Sequence, residues 1–142
     1  MNEDELARGI FALYLPLARS FLGALSDCSG LSIGQFRVLA LIEFDSVRHV
    51  TKLAERNLVS QPAMSKTIDT LVRLGYVKRT ERSDDRRLSE LHVTAKGRAS
   101  MSAIYNHAAN LLSPRLKKLP DHQKKRLALA LGDMKRVLDE NA

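Results

Sequence analysis

Apolar residues recur at helical spacing through most of the chain, with one stretch of strand-like alternation after its midpoint. In the first half, the spacing predicts a long helix over residues 4–26. A second helix is predicted to begin at the capping box Ser32-x-x-Gln35 and to end at Asp45-Ser46. Two short helices joined by a tight turn are predicted between His49 and Gly75. The second of them is predicted to end at Gly75, because glycine is favoured just after a helix C-terminus.

The alternating stretch predicts a β-hairpin, with strand candidates Tyr76–Glu81 and Leu88–Thr94. Helical spacing resumes over residues 95–112, where Thr94 is a suitable N-cap, and Ser113-Pro114 is expected to end that helix. A last helix is predicted over about residues 119–139. These elements place the chain in a mainly α class with a small β-hairpin (α+β).

The two short helices have the composition of a compact pair with one exposed face. Leu53 and Ala54 give the first helix an apolar edge, and Asn57 is expected to take the left-handed conformation of the turn. Ser60 is a suitable N-cap for the second helix, whose predicted buried face comprises Met64, Ile68, Leu71 and Val72. The exposed stripe then contains Gln61, Ser65, Lys66, Asp69 and Arg73. Such side chains bind base edges and phosphates, so this helix beside a charged hairpin suits the grooves of duplex DNA.

The helices at both ends of the chain are more apolar than one small subunit can cover. Residues 4–26 carry apolar side chains on two sides, and Pro16 is expected to kink this helix. The last helix has an apolar face of Leu127, Leu131, Met134 and Leu138. A second copy of the chain would bury these surfaces, which predicts an intertwined homodimer.

The formal net charge of +7 is distributed unevenly along the 142 residues. Residues 1–47 hold three basic and six acidic side chains, whereas residues 48–98 hold twelve basic and six acidic ones. Residues 113–142 add eight basic and four acidic side chains. The positive charge is therefore concentrated on the helix pair with its hairpin and on the C-terminal segment, as expected of a protein that binds a polyanion.

The central segment resembles the winged helix–turn–helix of the MarR family of bacterial transcription regulators. The matching motifs are Leu53-Ala54-Glu55-Arg56, Asp69-x-Leu71-x-x-x-Gly75-Tyr76-Val77-x-Arg79, Asp85-Arg86-Arg87 and Val93-Thr94-x-x-Gly97. The last two carry the family's wing signature, and one departure is Leu58, where the family often has glycine in the turn. The resemblance implies a single chain with a winged helix–turn–helix region over residues 31–95. Residues 1–27 and 96–142 would form the helical dimerisation region.

From the residues and the resemblance together, we expect a sequence-specific, homodimeric regulator that binds double-stranded DNA. The expected form is a repressor that a small ligand or another signal releases from a pseudo-palindromic operator. Arg73 and Lys78 are expected at phosphates and Arg86 or Arg87 in a flanking minor groove, with Asp85 orienting a neighbouring arginine. The full set of expected DNA-binding residues is Ser60, Gln61, Pro62, Ser65, Lys66, Arg73, Lys78, Asp85, Arg86 and Arg87.

Two other functions fit the same basic face. A non-specific architectural nucleic-acid binder would bind tightly at low salt with little preference among sequences. A winged-helix protein-interaction module would bind an acidic partner, although the exposed lysine argues against it, because interfaces are depleted in lysine. The chain holds no phosphate-cradling glycine motif, nucleophile elbow or HExxH run, so an enzyme is not expected.

Sites for small molecules, redox chemistry and metals are suggested by few residues. Tyr14 and Tyr105 are candidates for a ligand pocket, with ordinary core tyrosines as the alternative. The single cysteine, Cys28, fits a small buried side chain in a reducing cytoplasm, with a redox role as the alternative. The four histidines lack metal-ligand spacing, so no metal or other cofactor is expected. The acidic start and the lack of a long apolar run predict a cytoplasmic protein that binds no membrane.

Overall fold

The computed structural model describes residues 1–81 and 89–139 of the chain. The helices are α1 (Glu3–Ala12), α2 (Tyr14–Cys28), α3 (Ile33–Phe44), α4 (Val50–Asn57), α5 (Gln61–Arg73), α6 (Ala95–Lys117) and α7 (Asp121–Asp139), and the strands are β1 (Val77–Thr80) and β2 (Glu90–Val93). The two strands pair antiparallel, with Val77 opposite Val93. The predicted class, mainly α with a small β-hairpin, is confirmed.

The long N-terminal helix predicted from the sequence is divided at Leu13, which separates α1 from α2. Pro16 explains the division, because a proline lacks the amide donor and its ring clashes with the carbonyl four residues earlier. That carbonyl belongs to Ala12, the last residue of α1. Leu13 keeps backbone angles close to those of a helix (φ −76°, ψ −18°), so the helix is interrupted for a single residue near Pro16, while the expected kink stays a prediction.

The segment Glu3–Cys28 is long and apolar enough, by length and composition, to cross a membrane, with a mean hydropathy of 1.4 over an 18-residue window. The lack of an unbroken apolar run, on which the expectation of no membrane binding rests, does not exclude such a segment. That expectation required an unbroken apolar run, whereas a spanning segment tolerates glycine, serine and an occasional charge such as Arg19. A helix that is covered on all sides by protein has the same composition. The expectation that the chain binds no membrane stays a prediction.

The chain divides into two compact units, Met1–Ala108 and Ala109–Ala142. The first unit contains one hydrophobic core built from residues of α2 through α6. Its largest fully buried side chains are Leu39, Ile42, Leu53, Ile68, Leu71, Leu91 and Ile104. Phe21, Phe36 and Tyr105 pack against one another with ring centroids 4.8–5.9 Å apart. The two strands and the helix pair α4–α5 are thus supported by a common core.

The polar caps predicted for two helices are confirmed. At the start of α3, Ser32 Oγ accepts the amide of Gln35, and Gln35 Oε1 accepts the amide of Ser32. At the start of α6, Thr94 Oγ1 accepts the amide of Gly97 at 3.1 Å. The Thr94 hydroxyl also donates to the carbonyl of Gly75, so the cap of α6 is joined to the residue that ends α5.

The turn between α4 and α5 is made by Leu58 and not, as predicted, by Asn57. Leu58 has a left-handed backbone (φ 55°, ψ 42°), while Asn57 remains the last residue of the helix. The side-chain amide of Asn57 donates to the carbonyl of Leu53 at 2.7 Å, which holds Asn57 in the last turn. The left-handed position therefore falls one residue later, on a side chain that is strained there because its β-carbon crowds the backbone.

Leu58→Gly is expected to raise the free energy of unfolding by about 1 kcal/mol, because glycine adopts left-handed angles without strain. The leucine side chain is 92% exposed, so its removal costs little packing. Urea denaturation followed by circular dichroism measures the change. Val59→Gly is the matched control and should lower stability, because Val59 is not left-handed and glycine there only adds freedom to the unfolded chain. An unfolding free energy that does not rise in Leu58→Gly would contradict strain at this turn.

The second unit, Ala109–Ala142, contains the end of α6 and the whole of α7. Pro114 lies inside α6, which continues to Lys117, so the expectation that Ser113-Pro114 ends this helix is wrong. A proline removes one backbone hydrogen bond and bends a helix without necessarily ending it. The predicted extent of the last helix, to Asp139, is confirmed. Its large apolar side chains are exposed in the single chain, namely Leu127, Leu129, Leu131, Val137 and Leu138.

Candidate nucleic-acid interface

The start and the end of helix α5 are both determined by residues at or next to its termini. Ser60 has extended backbone angles, and its Oγ accepts the amide of Ala63 at 3.3 Å. Pro62 lies in the first turn, where backbone amides have no helical partner in any case. Gly75 follows the helix with a φ of 80°, and the amide of Tyr76 donates to the carbonyl of Leu71. The helix is therefore fixed by local signals at both ends.

One side of α5 is buried in the core. Met64, Ile68 and Leu71 are each at most 2% exposed, as predicted. Val72, which was assigned to the same side, is 37% exposed, so that assignment is wrong. Each residue turns a helix by about 100°, which carries Val72 away from the side that Leu71 occupies.

The opposite side of α5 projects polar side chains into solvent. The exposed residues Pro62, Lys66, Asp69 and Arg73 recur at i, i+4, i+7 and i+11, so they share this side, which we call the outer face. Ser65 is half-buried at its edge. Gln61 is exposed and donates from Nε2 to Thr51 Oγ1 of α4 at 3.3 Å. Ser60 uses its hydroxyl oxygen as the cap of the helix.

The cations of the outer face are available to a polyanion. Lys66 and Arg73 form no ion pair with any residue in the ranges 1–81 and 89–139. The carboxylate of Asp69 is bound by the guanidinium of Arg79, with 2.7 Å between Oδ1 and Nη2. The outer face therefore carries two unpaired cations, and its one carboxylate has a cationic partner.

The pleat of β1 separates two neighbouring cations. Arg79 lies on the same side of the strand as Val77, which is 2% exposed, and its side chain reaches Asp69 of α5. Lys78 is in register with His92 on the other side. Of the two, the cation beside α5 is thus Arg79, to which the sequence analysis gave no DNA contact, and not Lys78. Side chains alternate between the two sides of a strand, so the burial of Val77 is enough to place Arg79 on the same side as Val77 and Lys78 on the other.

The hairpin is joined at its base to the residue that precedes the N-cap of α4. The carbonyl of Arg48 accepts the amide of Leu91 at 2.9 Å. Arg48 Nη1 lies 2.7 Å from Nδ1 of His92, and Nε2 of His92 lies 3.4 Å from Oε2 of Glu90. The strand position expected for His92 is confirmed, but Arg48 was not singled out in the sequence. These contacts fix the base of the hairpin relative to the helix pair.

The predicted wing-tip residues Asp85, Arg86 and Arg87 lie outside the described residues. Their assignments to a flanking minor groove and to the orientation of an arginine stay predictions. The strands that lead towards them end at Thr80 and begin again at Glu90, which are in register.

The two tyrosines suggested as ligand residues border different cavities. Tyr14 lines a cavity of about 510 Å³, together with residues of α3 and α5 that include Arg37 and Met64. Tyr105 borders a cavity of about 140 Å³ near Arg98 and belongs to the aromatic cluster of the core. Burial raises the pKa of the Tyr105 hydroxyl above its usual value. The larger cavity is therefore the one with room for a small organic ligand.

Cys28 and the histidines do not come together as a metal site. Over residues 1–81 and 89–139, no group of three or more His, Cys, Asp or Glu side chains is placed to hold an ion. Cys28 is exposed, so the expectation of a small buried side chain is wrong; it is the last residue of α2, just before the chain turns at Gly30 (φ 64°). His107 Nε2 contacts Asp27 Oδ2 at 3.2 Å. A redox role for Cys28 stays an alternative.

Comparison with known proteins agrees with this arrangement of helices and hairpin. Residues 29–88, which cover the helix pair, match the sequence model of the MarR family. The HTH-type transcriptional repressor YetL of Bacillus subtilis is 30% identical over 108 residues, which cover 74% of this chain. The matched part spans 64% of the length of that relative.

One further relative and one solved structure match over nearly the whole chain. The uncharacterized HTH-type transcriptional regulator YfiV of Bacillus subtilis is 28% identical over an alignment of 148 positions, which covers all of this chain and 92% of that protein. The crystal structure of the transcriptional regulator Tm0710 from Thermotoga maritima superposes with a TM-score of 0.82 at 21% identity, covering 98% of this chain and 97% of that one. The structural likeness extends the shared fold to the terminal helices.

Proposed function

The chain belongs to the MarR family of transcription regulators, and we propose that it binds double-stranded DNA as a sequence-specific homodimer. The observation that carries this proposal is the outer face of α5, where Lys66 and Arg73 are exposed without an ionic partner among the described residues. Its relatives are named as regulators of transcription and not as enzymes, in agreement with the expectation of a non-enzymatic protein. A regulator of this kind acts where the chromosome is, in the cytoplasm.

In the proposed complex, α5 enters the major groove. Its first two turns present Gln61, Pro62, Ser65 and Lys66 to base edges. Arg73, three turns from the helix start, would bind a phosphate, as would amides at the helix N-terminus, which carry partial positive charge. Lys78, Arg86 and Arg87 of the hairpin, with Asp85 as the orienting residue, would contact the flanking DNA.

Selection of bound sequences from a random duplex library, at near-physiological salt, tests the proposal. An enriched pseudo-palindrome with half-sites about one helical turn apart is the expected result, because two-fold symmetry of the protein is mirrored in its operator. Binding at low salt without enrichment would instead support a non-specific architectural protein. Failure to bind duplex DNA at any salt would leave the protein-interaction module as the function.

The homodimer is supported by exposed apolar surface at both ends of the chain. Phe11, Tyr14 and Leu15 are 64–77% exposed in the single chain, and Leu129 of α7 is 71% exposed. Large apolar side chains exposed close together along one helix are uncommon on a soluble monomer and support an interaction surface at each end of the chain. Sedimentation equilibrium should give twice the chain mass of 15.9 kDa. A monomer at micromolar concentration would contradict a dimer-based operator.

Repression released by a small ligand is the form of regulation that we propose. The cavity at Tyr14 supports it, because its wall includes Ala63, Met64 and Thr67 of α5 itself. A ligand bound there would contact the helix that enters the major groove, so binding of ligand and binding of DNA would be coupled through one element. Arg37 and Gln35 supply polar groups in a wall that is otherwise partly apolar.

Tyr14→Ala is expected to weaken binding of a cavity ligand by about tenfold, because a tyrosine ring supplies a large share of the contact area in a small site. The probe set is a panel of small aromatic carboxylic acids and phenols, scored by a rise in melting temperature of the protein. Tyr105→Phe, at the other cavity, is the matched control and should leave the rise unchanged. A panel with no stabilising member, or equal responses of the two variants, would contradict a ligand site at Tyr14.

A further inference from the structure

A carboxylate on the outer face of α5 is unexpected in a helix that binds DNA. Asp69 lies between Lys66 and Arg73 on that face, and its side chain is 64% exposed. A negative charge near phosphates repels them, so on charge alone Asp69 should weaken DNA binding. Its presence at this position calls for a compensating role.

The structure supplies a partner for Asp69 from a different element. Oδ1 of Asp69 accepts a hydrogen bond from Nη2 of Arg79 on β1 at 2.7 Å, a distance typical of charge-assisted bonds. The Arg79 side chain remains 42% exposed. An exposed ion pair of this kind contributes little to the free energy of folding, so a gain in stability does not explain its presence.

The geometry leaves most of the guanidinium free. Arginine presents five N–H donors in a planar fork, and the bond to Asp69 uses one of them. The remaining donors lie at the junction between α5 and the hairpin, on the side of β1 that faces α5. Lys78 does not have this position, because the pleat turns it to the side of His92.

We propose that Asp69 is a positioning residue that holds the Arg79 guanidinium at the α5–hairpin junction, where Arg79 binds a DNA phosphate. The inference rests on the proposed function and adds a contact and an orienting residue that the sequence analysis did not assign. The carboxylate limits the rotamers of a long side chain before DNA arrives, which lowers the entropy lost on binding. The attraction between Arg79 and the phosphate that it binds outweighs the repulsion between Asp69 and DNA, because the charges of Asp69 and Arg79 cancel at longer range.

The sign of the effect of Asp69→Asn separates positioning from simple electrostatics. If Asp69 only repels DNA, then removal of its charge raises affinity. If it positions Arg79, then Asp69→Asn lowers affinity for the selected operator by about threefold to tenfold, and Asp69→Glu restores part of the loss. In an Arg79→Ala background, the same Asp69→Asn change should raise affinity, because the carboxylate then has nothing to orient and only repels phosphate.

The salt dependence of binding supplies a readout that a purely structural role would not change. Arg79→Ala should reduce the slope of log K against log salt concentration by about one, on random and selected duplexes alike. Glu55→Gln is the matched control: this exposed carboxylate is paired with Lys52 within α4, and its neutralisation should raise affinity slightly in both backgrounds. Circular dichroism melting of each variant reports whether the fold is retained.

Three results would overturn the inference. Asp69→Asn could raise operator affinity in the wild-type background as Glu55→Gln does, the effects of Asp69→Asn and Arg79→Ala could add without coupling, or the salt slope could stay constant in Arg79→Ala. Each of these leaves the proposed function intact if the wild-type chain still selects an operator. A wild-type chain that binds no duplex overturns the proposed function and this inference together.

Discussion

Replacing Gly97 by alanine is expected to lower the free energy of unfolding by about 2 kcal/mol. A β-carbon at this position would lie 2.4 Å from the carbonyl oxygen of Tyr76 and 2.7 Å from Cγ1 of Val93. Alanine is favoured over glycine inside a helix by about 1 kcal/mol. Forcing an extra group into a packed site costs about 1–3 kcal/mol or more, and two simultaneous clashes, one with backbone, put this site at or above the upper end.

The clash at Gly97 falls on the junction that holds the hairpin to α6. The carbonyl of Tyr76 also accepts the amide of Thr94 at 3.0 Å, so moving that carbonyl strains a backbone hydrogen bond. The Thr94 hydroxyl links the same region to Gly75 at the end of α5. Displacement of the Tyr76 carbonyl by the added β-carbon therefore loosens the hairpin from α5, and we expect DNA affinity to fall along with stability.

Urea denaturation of Gly97→Ala, with the melting temperature as a second measure, tests this expectation. Gly34→Ala in α3 is the matched control within the same unit, because the nearest atom to its added β-carbon is Ser32 Oγ at 3.8 Å, an ordinary contact. Gly34→Ala should leave stability unchanged or raise it by up to about 1 kcal/mol. Equal effects of the two substitutions would show that the close approach at Gly97 relaxes without cost.

The helix ends that the sequence predicts correctly are those determined by neighbouring residues. Ser32 caps α3 and Gly75 ends α5, and each acts on backbone groups within a few positions. Two other helix ends were predicted wrongly, because the periodicity of apolar residues does not show which side-chain contacts form there. At the α4–α5 turn, the Asn57 amide binds the Leu53 carbonyl, which shifts the left-handed residue to Leu58. At Pro114, the missing amide is tolerated and α6 continues.

The part of the candidate site that the sequence could not predict depends on contacts between distant residues. Arg48 approaches His92 from 44 positions away, and no spacing rule indicates such a pair. Asp69 and Arg79 are ten positions apart, on a helix and a strand, so their contact requires the angle between these elements. Lys66 and Arg73, in contrast, follow directly from helical periodicity once the buried face is identified.

Lys66→Ala is expected to weaken binding to the selected operator by about 1–3 kcal/mol, roughly tenfold to a hundredfold. Lys66 is exposed on the outer face, in the second turn of α5, where a helix in the major groove comes closest to the base edges. A lysine that donates to a base acceptor such as the O6 or N7 of guanine contributes to one sequence and not to others. Binding to random duplex DNA should therefore change little.

Arg73→Ala provides the matched comparison on the same face of the same helix. Arg73 is the last residue of α5, and its proposed partner is a phosphate, which every sequence presents. Its loss should weaken operator and random duplex by the same factor and reduce the salt slope by about one. Fluorescence anisotropy titrations of both variants on both duplexes give four ratios of affinity to that of the wild type at each salt concentration, and two salt concentrations give the slopes.

The pattern of these ratios determines how α5 lies on DNA. A specific loss in Lys66→Ala with a uniform loss in Arg73→Ala means that the N-terminal turns of α5 contact bases while its C-terminal end contacts the backbone. A uniform loss in both variants means that Lys66 also binds phosphate, and the discrimination among sequences then falls to Gln61 and Ser65. A specific loss in Arg73→Ala alone would reverse the polarity of the helix in the groove and contradict the proposed complex.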